Sequence, residues 1–286
     1  MAKTDLEQFI IDEVEKEKGV FVPIRAGLPE RLLVRKLSCR KLHPNPEDEF
    51  CFPDIGPNLE IISRYVAQFK ENLDKNLPLM DEPLIVQKIR PSGYMLLNGH
   101  HRWAAALRLG IKKVPVSVVN AIFESDIRVM LENSTHTKRA TIDLDEVIFK
   151  NPKDPDVEKI PGLFGFGLHK KRLRRGTPAL ISYLKKKGYD VWVYSHKFYS
   201  IDDIQRYFRR YSAGVDGVIT GAGKMKAEDI IADKYNLTLH IDNDLLLVTH
   251  SRSQEFEEIE IKCDPHDWSR EVIAAVDTIK TDEEKE

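Results

Sequence analysis

The chain has 286 residues, enough for two domains that each bury a core. Charged residues make up 31% of it and the formal net charge is −2, a balance that does not favour binding to nucleic acid through bulk charge. Three widely spaced cysteines indicate free thiols in a reducing cytosol rather than a disulfide framework. A charged N-terminus and the lack of an apolar run of about 18 residues predict a cytoplasmic protein without a membrane segment.

The first predicted domain covers residues 1–139 and mixes helix and strand patterns. Apolar residues spaced three and four apart indicate helices, and the turn Pro91-Ser92-Gly93 between two apolar runs indicates a hairpin. In chain order we predict a helix, a strand-like region, a helix, the two hairpin strands, a helix, a strand and a helix, at 6–14, 31–42, 59–73, 84–86, 94–97, 101–109, 114–119 and 127–133. This mixture predicts a small α+β domain.

One turn in this domain combines a glycine with a basic helix start. Asn98-Gly99 ends the second hairpin strand, and His100-His101-Arg102 opens an alanine-rich helix. Glycine lets the backbone approach a ligand closely, and a helix N-terminus with an arginine favours an anion. The sequence therefore predicts a phosphate site at this turn. A helix cap with two surface histidines and a metal site through His100 and His101 are the alternatives.

A wider set of segments carries a resemblance to a known family. The order and spacing of His43-Pro44-Asn45-Pro46, Glu82-Pro83-Leu84-Ile85-Val86, the strand and turn from Tyr94 to Arg102, Leu109-Gly110 and Val114-Pro115-Val116 resemble the ParB/sulfiredoxin-type nucleotide-binding domain over about residues 31–139. The resemblance implies that ATP or CTP binds here, with phosphate contacts from Gly99, His100, His101 and Arg102. By the same resemblance, Glu132 or Asn133 contacts the nucleotide or its metal ion.

Members of that superfamily differ in activity, and two positions bear on which activity fits. The relatives include CTP-dependent DNA clamps, ATP-using sulfiredoxins and kinases of small metabolites. This chain has His100 at the position beside the turn where a sulfiredoxin would carry its cysteine. It has Asn98 where kinase relatives often carry aspartate, which weighs against kinase chemistry.

The second predicted domain covers residues 140–280, followed by a charged tail at 281–286 that is predicted to be disordered. Strands and helices alternate along it, and this alternation predicts a parallel sheet with helical crossovers. The predicted elements lie at 141–148, 178–187, 190–194, 202–210, 215–220, 227–235 and 237–241, followed by a strand at 258–262 and a helix at 267–279.

Reactive side chains stand where these predicted strands end. Asp143 and Asp145 close the first strand, and Ser195 closes the second. Asp242 and Asp244 follow the third. Because ligands bind at the carboxyl ends of strands in an open α/β sheet, we expect these residues to converge on one crevice. Carboxylates there can bind Mg²⁺, and one of them can attack phosphorus while its neighbour acts as acid and base.

These residues resemble the motifs of the haloacid dehalogenase superfamily of phosphohydrolases over about residues 141–250. Its motifs are matched by Asp143, Asp145 and Val147, by Ser195, by Lys224 or Lys226, of which Lys224 fits better, and by Asp242-Asn243-Asp244. The resemblance implies a Rossmann-like domain with a parallel sheet and a small or absent cap. It also implies catalysis by Asp143, Asp145, Ser195 and Lys224, and a metal site of Asp143, Asp145, Asp242 and Asp244.

The leading functional hypothesis is a Mg²⁺-dependent phosphohydrolase that works through an aspartyl-phosphate, with a phosphorylated small molecule or a nucleotide as substrate. The ParB-like domain would bind nucleotide beside this activity. One alternative is a bifunctional kinase–phosphatase acting on a small metabolite or a nucleic-acid end. The other is a nucleotide-gated DNA-binding protein whose second domain is inactive.

Overall fold

The computed structural model describes residues 5, 8–9, 11–12, 21–161, 171–221, 227, 230–231, 233–251, 256–261 and 267–279. The chain divides into two compact units, Met1–Asn120 and Ala121–Glu286. The predicted domain ranges differ from these units because they assign the segment 121–139 to the first domain. Lys224, Lys226 and the predicted tail 281–286 lie outside the described residues. The predicted helix at 6–14 is described, as helix, only at residues 8–9 and 11–12.

The first unit is an α+β arrangement of short strands and three described helices. Its elements are β1 (Val22–Pro23), α1 (Leu28–Leu33), β2 (Lys36–Ser38), β3 (Leu42–Pro44), α2 (Leu59–Asp74), β4 (Leu84–Arg90), β5 (Tyr94–Asn98), α3 (His100–Arg108) and β6 (Lys113–Val118), with 3₁₀ turns at Cys39–Lys41 and Glu49–Cys51. The prediction of a strand from residue 31 is wrong at its start, because α1 occupies Leu28–Leu33. Pro29 in the first turn of α1 has a φ already suited to a helix start.

The sheet of this unit is mixed, in the order β2-β6-β4-β5-β3, and β1 pairs with β4. Strands β4 and β5 form the predicted antiparallel hairpin. Buried side chains from β4, β5, α2 and α3 form a common core, for example Leu84, Leu96, Ile62 and Trp103. The end of β5 and the start of α3 are therefore fixed in place on either side of Gly99.

The second unit is an α/β arrangement. Its elements are α4 (Glu124–Glu132), β7 (Lys138–Asp143), β8 (Phe149–Lys150), β9 (Arg172–Leu173), α5 (Thr177–Lys186), β10 (Tyr189–Ser195), α6 (Ile201–Arg210), β11 (Gly217–Thr220), β12 (Leu237–Ile241), β13 (Leu245–His250), β14 (Phe256–Glu260) and α7 (Trp268–Thr278), with a π-helical turn at Leu144–Ile148. The predicted strand 141–148 is too long, because the chain leaves the sheet at Asp143. Strand β13 was not predicted, although its apolar run directly follows the turn after β12.

The main sheet of this unit has the order β11-β10-β7-β12-β13-β14. Strands β11, β10, β7 and β12 are parallel to one another, as predicted, but β13 is antiparallel to β12 and β14 is antiparallel to β13. The α/β class is therefore confirmed, and the prediction of a parallel Rossmann-like sheet of the haloacid dehalogenase type is not. Alternate residues of β10 enter different cores, with Val191 and Val193 on one face and Trp192 on the other, so both faces of the sheet are buried.

Across the described ranges, no helix has both the length and the apolar character needed to cross a membrane.

Candidate functional site

A cavity of about 700 Å³ opens in the first unit at the Gly-His-His-Arg turn. Its volume falls within the range of about 300–1,000 Å³ that is common for ligand pockets. The polar part of its lining is Asp48, Gln68, Asp81, Glu82, Asn98, Gly99, His100, His101 and Arg102, and the apolar part is Ile61, Tyr65, Phe69 and Met80. The predicted phosphate-binding turn therefore forms one wall of a cavity that also has an apolar wall.

The turn depends on Gly99, whose φ of +97° is in the left-handed region. A Cβ at this position would lie 2.7 Å from Leu84 Cδ2 and 3.0 Å from Arg102 Nη2, so a larger residue meets both strain and a clash. Helix α3 begins directly after it, and Trp103 is the first residue whose N–H donates back, to the Gly99 carbonyl. The N–H groups of residues 100–102 have no acceptor within the helix, which suits them to an anion.

The guanidinium of Arg102 is held at the cavity wall by two neighbours. Nη1 donates to the Glu82 carbonyl at 2.5 Å and Nη2 donates to Asn98 Oδ1 at 3.1 Å. These bonds tie the start of α3 to the segment before β4 and to the end of β5. The arginine is thus oriented before any ligand arrives, which lowers the entropic cost of binding an anion.

The two histidines of the turn are hydrogen-bond acceptors in this structure. Nε2 of His100 accepts from the Asn45 N–H, and Nε2 of His101 accepts from the Asn58 N–H, each at 3.2 Å. Burial lowers the pKa of His100 to about 4 and also lowers the pKa of His101, so both rings are neutral near pH 7. The alternative of two surface histidines is wrong for His100, which is only 4% exposed.

Three carboxylates line the same cavity, and the sequence analysis did not single out any of them as a site residue. They belong to Asp48, Asp81 and Glu82. Asp48 is the best oriented: its Oδ1 accepts from the Phe50 N–H at 3.0 Å and its Oδ2 lies 3.4 Å from His100 Nδ1. The only available signal was position, because these acidic residues flank the Pro44/Pro46 and Pro83 turns that carried the family resemblance.

Glu132 and Asn133, the other predicted nucleotide contacts, belong to the second unit. Both are exposed at the end of α4, where Asn133 is the C-cap and its side-chain nitrogen donates to the Val129 carbonyl at 2.8 Å. Their role, like the phosphate contacts at Gly99–Arg102, stays a prediction.

In the second unit, the ends of β7 and β10 bring Asp145 and Ser195 together, as expected. Asp143 is 4% exposed, and its Oδ1 accepts from the N–H groups of Asp145 and Glu146, each at 2.7 Å. These two bonds start the π-helical turn and explain why the strand ends there. One oxygen of the predicted nucleophile is therefore committed to the backbone.

Asp145 is surrounded by donors. It accepts from Ser195 Oγ at 2.5 Å and Tyr199 Oη at 2.7 Å, and it pairs with Lys197 Nζ at 3.2 Å and Lys171 Nζ at 3.5 Å. Burial pushes the pKa of Asp145 upward, but the bonds from Ser195, Tyr199 and Lys197 outweigh burial and lower it. A carboxylate held in its charged form is poorly suited to the predicted role of general acid.

The remaining predicted metal ligands do not gather into a site. Asp242 and Asp244 are exposed, and Asp242 Oδ1 accepts from the Asn243 N–H at 2.6 Å. The Asn243 side chain accepts from Arg174 Nη1 at 2.9 Å and is thereby turned toward β9. In the described part of the chain, no group of three or more His, Cys, Asp or Glu side chains is arranged to hold a metal ion. This holds for the predicted aspartates and for the alternative pair His100 and His101.

Comparison with known proteins finds similarity over part of the chain. Residues 79–135 match the ParB N-terminal domain. The chain is 34% identical over 70 residues to an ATP-dependent L-serine kinase of Staphylothermus marinus, covering 24% of this chain and 27% of that protein. It is 34% identical over 65 residues to an ATP-dependent L-serine kinase of Desulfurococcus mucosus, covering 22% and 25%. The chain thus spans about a quarter of the length of the curated relatives it matches.

Among solved structures, the chain aligns with the C-terminally truncated chromosome-partitioning protein ParB from Caulobacter crescentus complexed with CTP-γ-S. The alignment covers 35% of this chain and 51% of that chain, at 22% identity and a TM-score of 0.26. A superposition this weak adds nothing to the inference of function.

The matches correct the leading functional hypothesis. The predicted resemblance to ParB is supported by the match to the ParB N-terminal domain over residues 79–135. The prediction of a Mg²⁺-dependent phosphohydrolase of the haloacid dehalogenase type is wrong, because both curated relatives are kinases, which transfer phosphate rather than hydrolyse its esters. The geometry agrees with this correction: Asp143 caps a turn, and Asp145 is held as a carboxylate by its neighbours.

Proposed function

We propose that the first unit binds ATP and transfers its terminal phosphate to a hydroxyl group of a small metabolite. The observation that carries this proposal is an overlap: the span that matches the ParB N-terminal domain, 79–135, contains most of the polar cavity wall. The kinase alternative fits the named relatives better than the phosphohydrolase did. Asn98, in place of the aspartate that kinase relatives often carry, does not remove the other features that such chemistry needs.

The two walls of the cavity match the two ends of a nucleotide. The phosphates would bind at the polar wall, where the first N–H groups of α3 and the oriented guanidinium of Arg102 supply donors. The base would lie against the apolar wall of Ile61, Tyr65 and Phe69, where flat rings pack favourably.

The carboxylates supply the remaining requirements of phosphoryl transfer. Asp81 and Glu82 offer the oxygen ligands that Mg²⁺ prefers, and Mg²⁺ would neutralise charge on the phosphates of ATP. Asp48 would accept the proton of the attacking hydroxyl, because one of its oxygens is already oriented by the Phe50 N–H. An acceptor that carries an ammonium group suits this acidic wall, and L-serine is the first compound to test, by analogy with the named relatives.

The proposal is tested by measuring the transfer of phosphate from ATP to an acceptor. The full chain is incubated with ATP, Mg²⁺ and L-serine, or with a panel of other hydroxyl-bearing amino acids, sugars and nucleosides. ADP and the phosphorylated acceptor are followed by ³¹P NMR. We expect acceptor-dependent ADP formation that falls by about 10²-fold or more in Asp48→Asn, with ATP affinity preserved.

The matched control is Asp54→Asn, an exposed carboxylate on the same segment as Asp48. It should leave transfer unchanged. Nucleotide binding without transfer to any acceptor would contradict the kinase proposal and leave a nucleotide-binding role. Transfer that is unaffected by Asp48→Asn would remove Asp48 from the reaction.

A further inference from the structure

The two adjacent histidines of the turn hold both ends of one segment, residues 45–58. Asn45 begins this segment and donates its N–H to His100, while Asn58 ends it and donates its N–H to His101. The segment between them contains the 3₁₀ turn Glu49–Cys51. Two neighbouring side chains on α3 thus fix the ends of a loop whose residues are about 40 to 55 positions earlier in the chain.

The middle of the segment is anchored to the same two rings. The Phe50 side chain is 2% exposed, and its ring centroid lies 5.3 Å from that of His100 and 5.0 Å from that of His101. The second contact is edge-to-face, a favourable arrangement for aromatic rings. With Phe50 fixed, Asp48, two residues earlier, is oriented from both sides, by the Phe50 N–H and by His100 Nδ1.

The far end of the segment also sets the apolar wall of the cavity. Asn58 is the N-cap of α2, and its Oδ1 accepts from the N–H groups of Glu60 and Ile61, each at 3.1 Å. The bond from the Asn58 N–H to His101 therefore ties the start of α2 to the start of α3. Ile61 and Tyr65, in the first and second turns of α2, line the cavity.

We infer that His100 and His101 are positioning residues: they clasp segment 45–58 against the cavity and orient Asp48, while backbone N–H groups and Arg102 receive the phosphate. This inference rests on the proposed kinase function for the role of Asp48, but the clasp itself does not. It assigns the histidines a different role from the phosphate contact that the family resemblance implies.

The chemistry of the contact requires a neutral ring. A neutral imidazole has a single acceptor nitrogen, and in both histidines this nitrogen, Nε2, faces a backbone N–H. An imidazolium has two donors and no acceptor, so its Nε2–H would point at the backbone N–H, and two donors facing each other repel. Burial of both rings favours the form that the clasp needs.

The test compares two variants of the less buried histidine. His101→Gln keeps a side-chain acceptor, whereas His101→Leu removes it at similar volume. Amide hydrogen exchange of Asn58 is measured by NMR, together with kcat and KM for the acceptor and Kd for ATP. In His101→Leu we expect exchange at Asn58 to accelerate by about tenfold and kcat to fall, with the Kd of ATP changed by less than about twofold. His101→Gln should restore both.

The outcomes separate the inference from the function on which it rests. An Asn58 amide that stays protected in His101→Leu overturns the clasp, whatever the activity. A Kd for ATP that rises about tenfold in both variants would instead make His101 a nucleotide ligand. If the wild-type chain transfers no phosphate but Asn58 exchange responds as expected, the clasp stands and the proposed kinase fails. The same comparison at His100, with exchange read at Asn45, provides an independent second test.

Discussion

The hydroxyl of Ser195 donates to the carboxylate of Asp145 at 2.5 Å, joining the end of β10 to the π-helical turn that follows β7. Strands β7 and β10 are parallel neighbours in the sheet, so the approach of Ser195, at the end of β10, to Asp145, just after β7, follows from the sheet order. Their chemistry is not that of an open catalytic crevice. Tyr199 and Lys197 complete the set of donors around the same carboxylate, which makes this cluster a stabilising feature of the second unit.

The Asp145 cluster predicts an acid-dependent loss of stability. Hydrogen bonds and the Lys197 charge lower the pKa of Asp145 in the folded protein, against the opposing effect of burial. A lowered folded-state pKa contributes stability that is present above the unfolded pKa of about 3.9 and is lost as pH falls through the folded value. Thermal unfolding of wild type and Asp145→Asn, followed between pH 2 and 6, should therefore differ most at pH 6 and converge at low pH.

Asp244→Asn is the matched control for this measurement, because Asp244 is an exposed aspartate of the same unit. Its unfolding curve should follow that of wild type at every pH. A constant offset between Asp145→Asn and wild type over the whole range would show that the ionised form of Asp145 has no special role.

Replacement of Gly99 should destabilise the protein more than replacement of a left-handed glycine that has free space around it. Gly99→Ala places a methyl 2.7 Å from Leu84 Cδ2 at a φ of +97°, so the cost of the left-handed backbone is joined by a clash. We expect a loss of about 2–4 kcal/mol in the free energy of unfolding of the first unit and weaker ATP binding. Gly110→Ala is the control: its φ is +67° but nothing lies within 4 Å of the added Cβ. It should cost about 1 kcal/mol.

Chemical denaturation with isothermal titration of ATP distinguishes these effects. If Gly99→Ala and Gly110→Ala lose the same free energy of unfolding, only the backbone conformation matters at the turn. The Leu84 side chain would then move away from the added methyl at no cost.

Arg102 should contribute to nucleotide affinity through charge and orientation together. Arg102→Ala removes the cation and the bonds to the Glu82 carbonyl and Asn98, so we expect the Kd of ATP to rise by about 10²-fold. Arg102→Lys keeps the charge but cannot bond to both partners in the same geometry, and it should recover only part of the loss. Arg108→Ala, at the exposed end of the same helix, should leave the Kd unchanged. An ATP affinity that does not respond to Arg102→Ala would exclude the turn as the phosphate site.

The sequence was sufficient for features that depend on local geometry. An Asn-Gly pair at a strand end, followed by an alanine-rich helix, predicted both the turn at Gly99 and the start of α3. The alternation of strands and helices predicted the parallel pairing of β7, β10 and β12. The same pairing explains the contact between Asp145 and Ser195, because they lie at the carboxyl ends of the adjacent parallel strands β7 and β10.

What the sequence could not supply depends on distant backbone groups. The acceptor role of His100 and His101 requires the N–H groups of Asn45 and Asn58, which only the folded chain brings near. Asp48 joins the cavity for the same reason. The phosphohydrolase hypothesis failed because a spacing of two between Asp143 and Asp145 does not reveal how their oxygens are used. Asp143 caps a turn and Asp145 is held as a carboxylate by surrounding donors, and neither use is visible in the motif.

The clasped histidines predict a second pH dependence, in the first unit and in a different range. The pKa of His100 is lowered by burial to about 4 from an ordinary value near 6.5, so the unfolded chain binds a proton that the folded chain does not between these two values. Stability must therefore be full above pH 6.5 and fall as pH drops from 6.5 toward 4, by a total on the order of 3 kcal/mol for this one group. Asp48 opposes the effect of burial, since its charge 3.4 Å from Nδ1 favours the protonated ring. The positive charge of a protonated His101 acts in the same direction as burial and lowers the pKa of His100.

Amide exchange at Asn45, followed from pH 7 to 4 and corrected for the intrinsic pH dependence of exchange, reports this step directly. In wild type the protection factor should decline over that range, because His100 in the opened chain takes up a proton below its ordinary pKa near 6.5 and the imidazolium cannot accept from the Asn45 N–H. In His100→Gln, whose side chain does not titrate, the protection factor should be independent of pH. A decline of equal size in both proteins would assign the transition to another group and remove His100 as its cause.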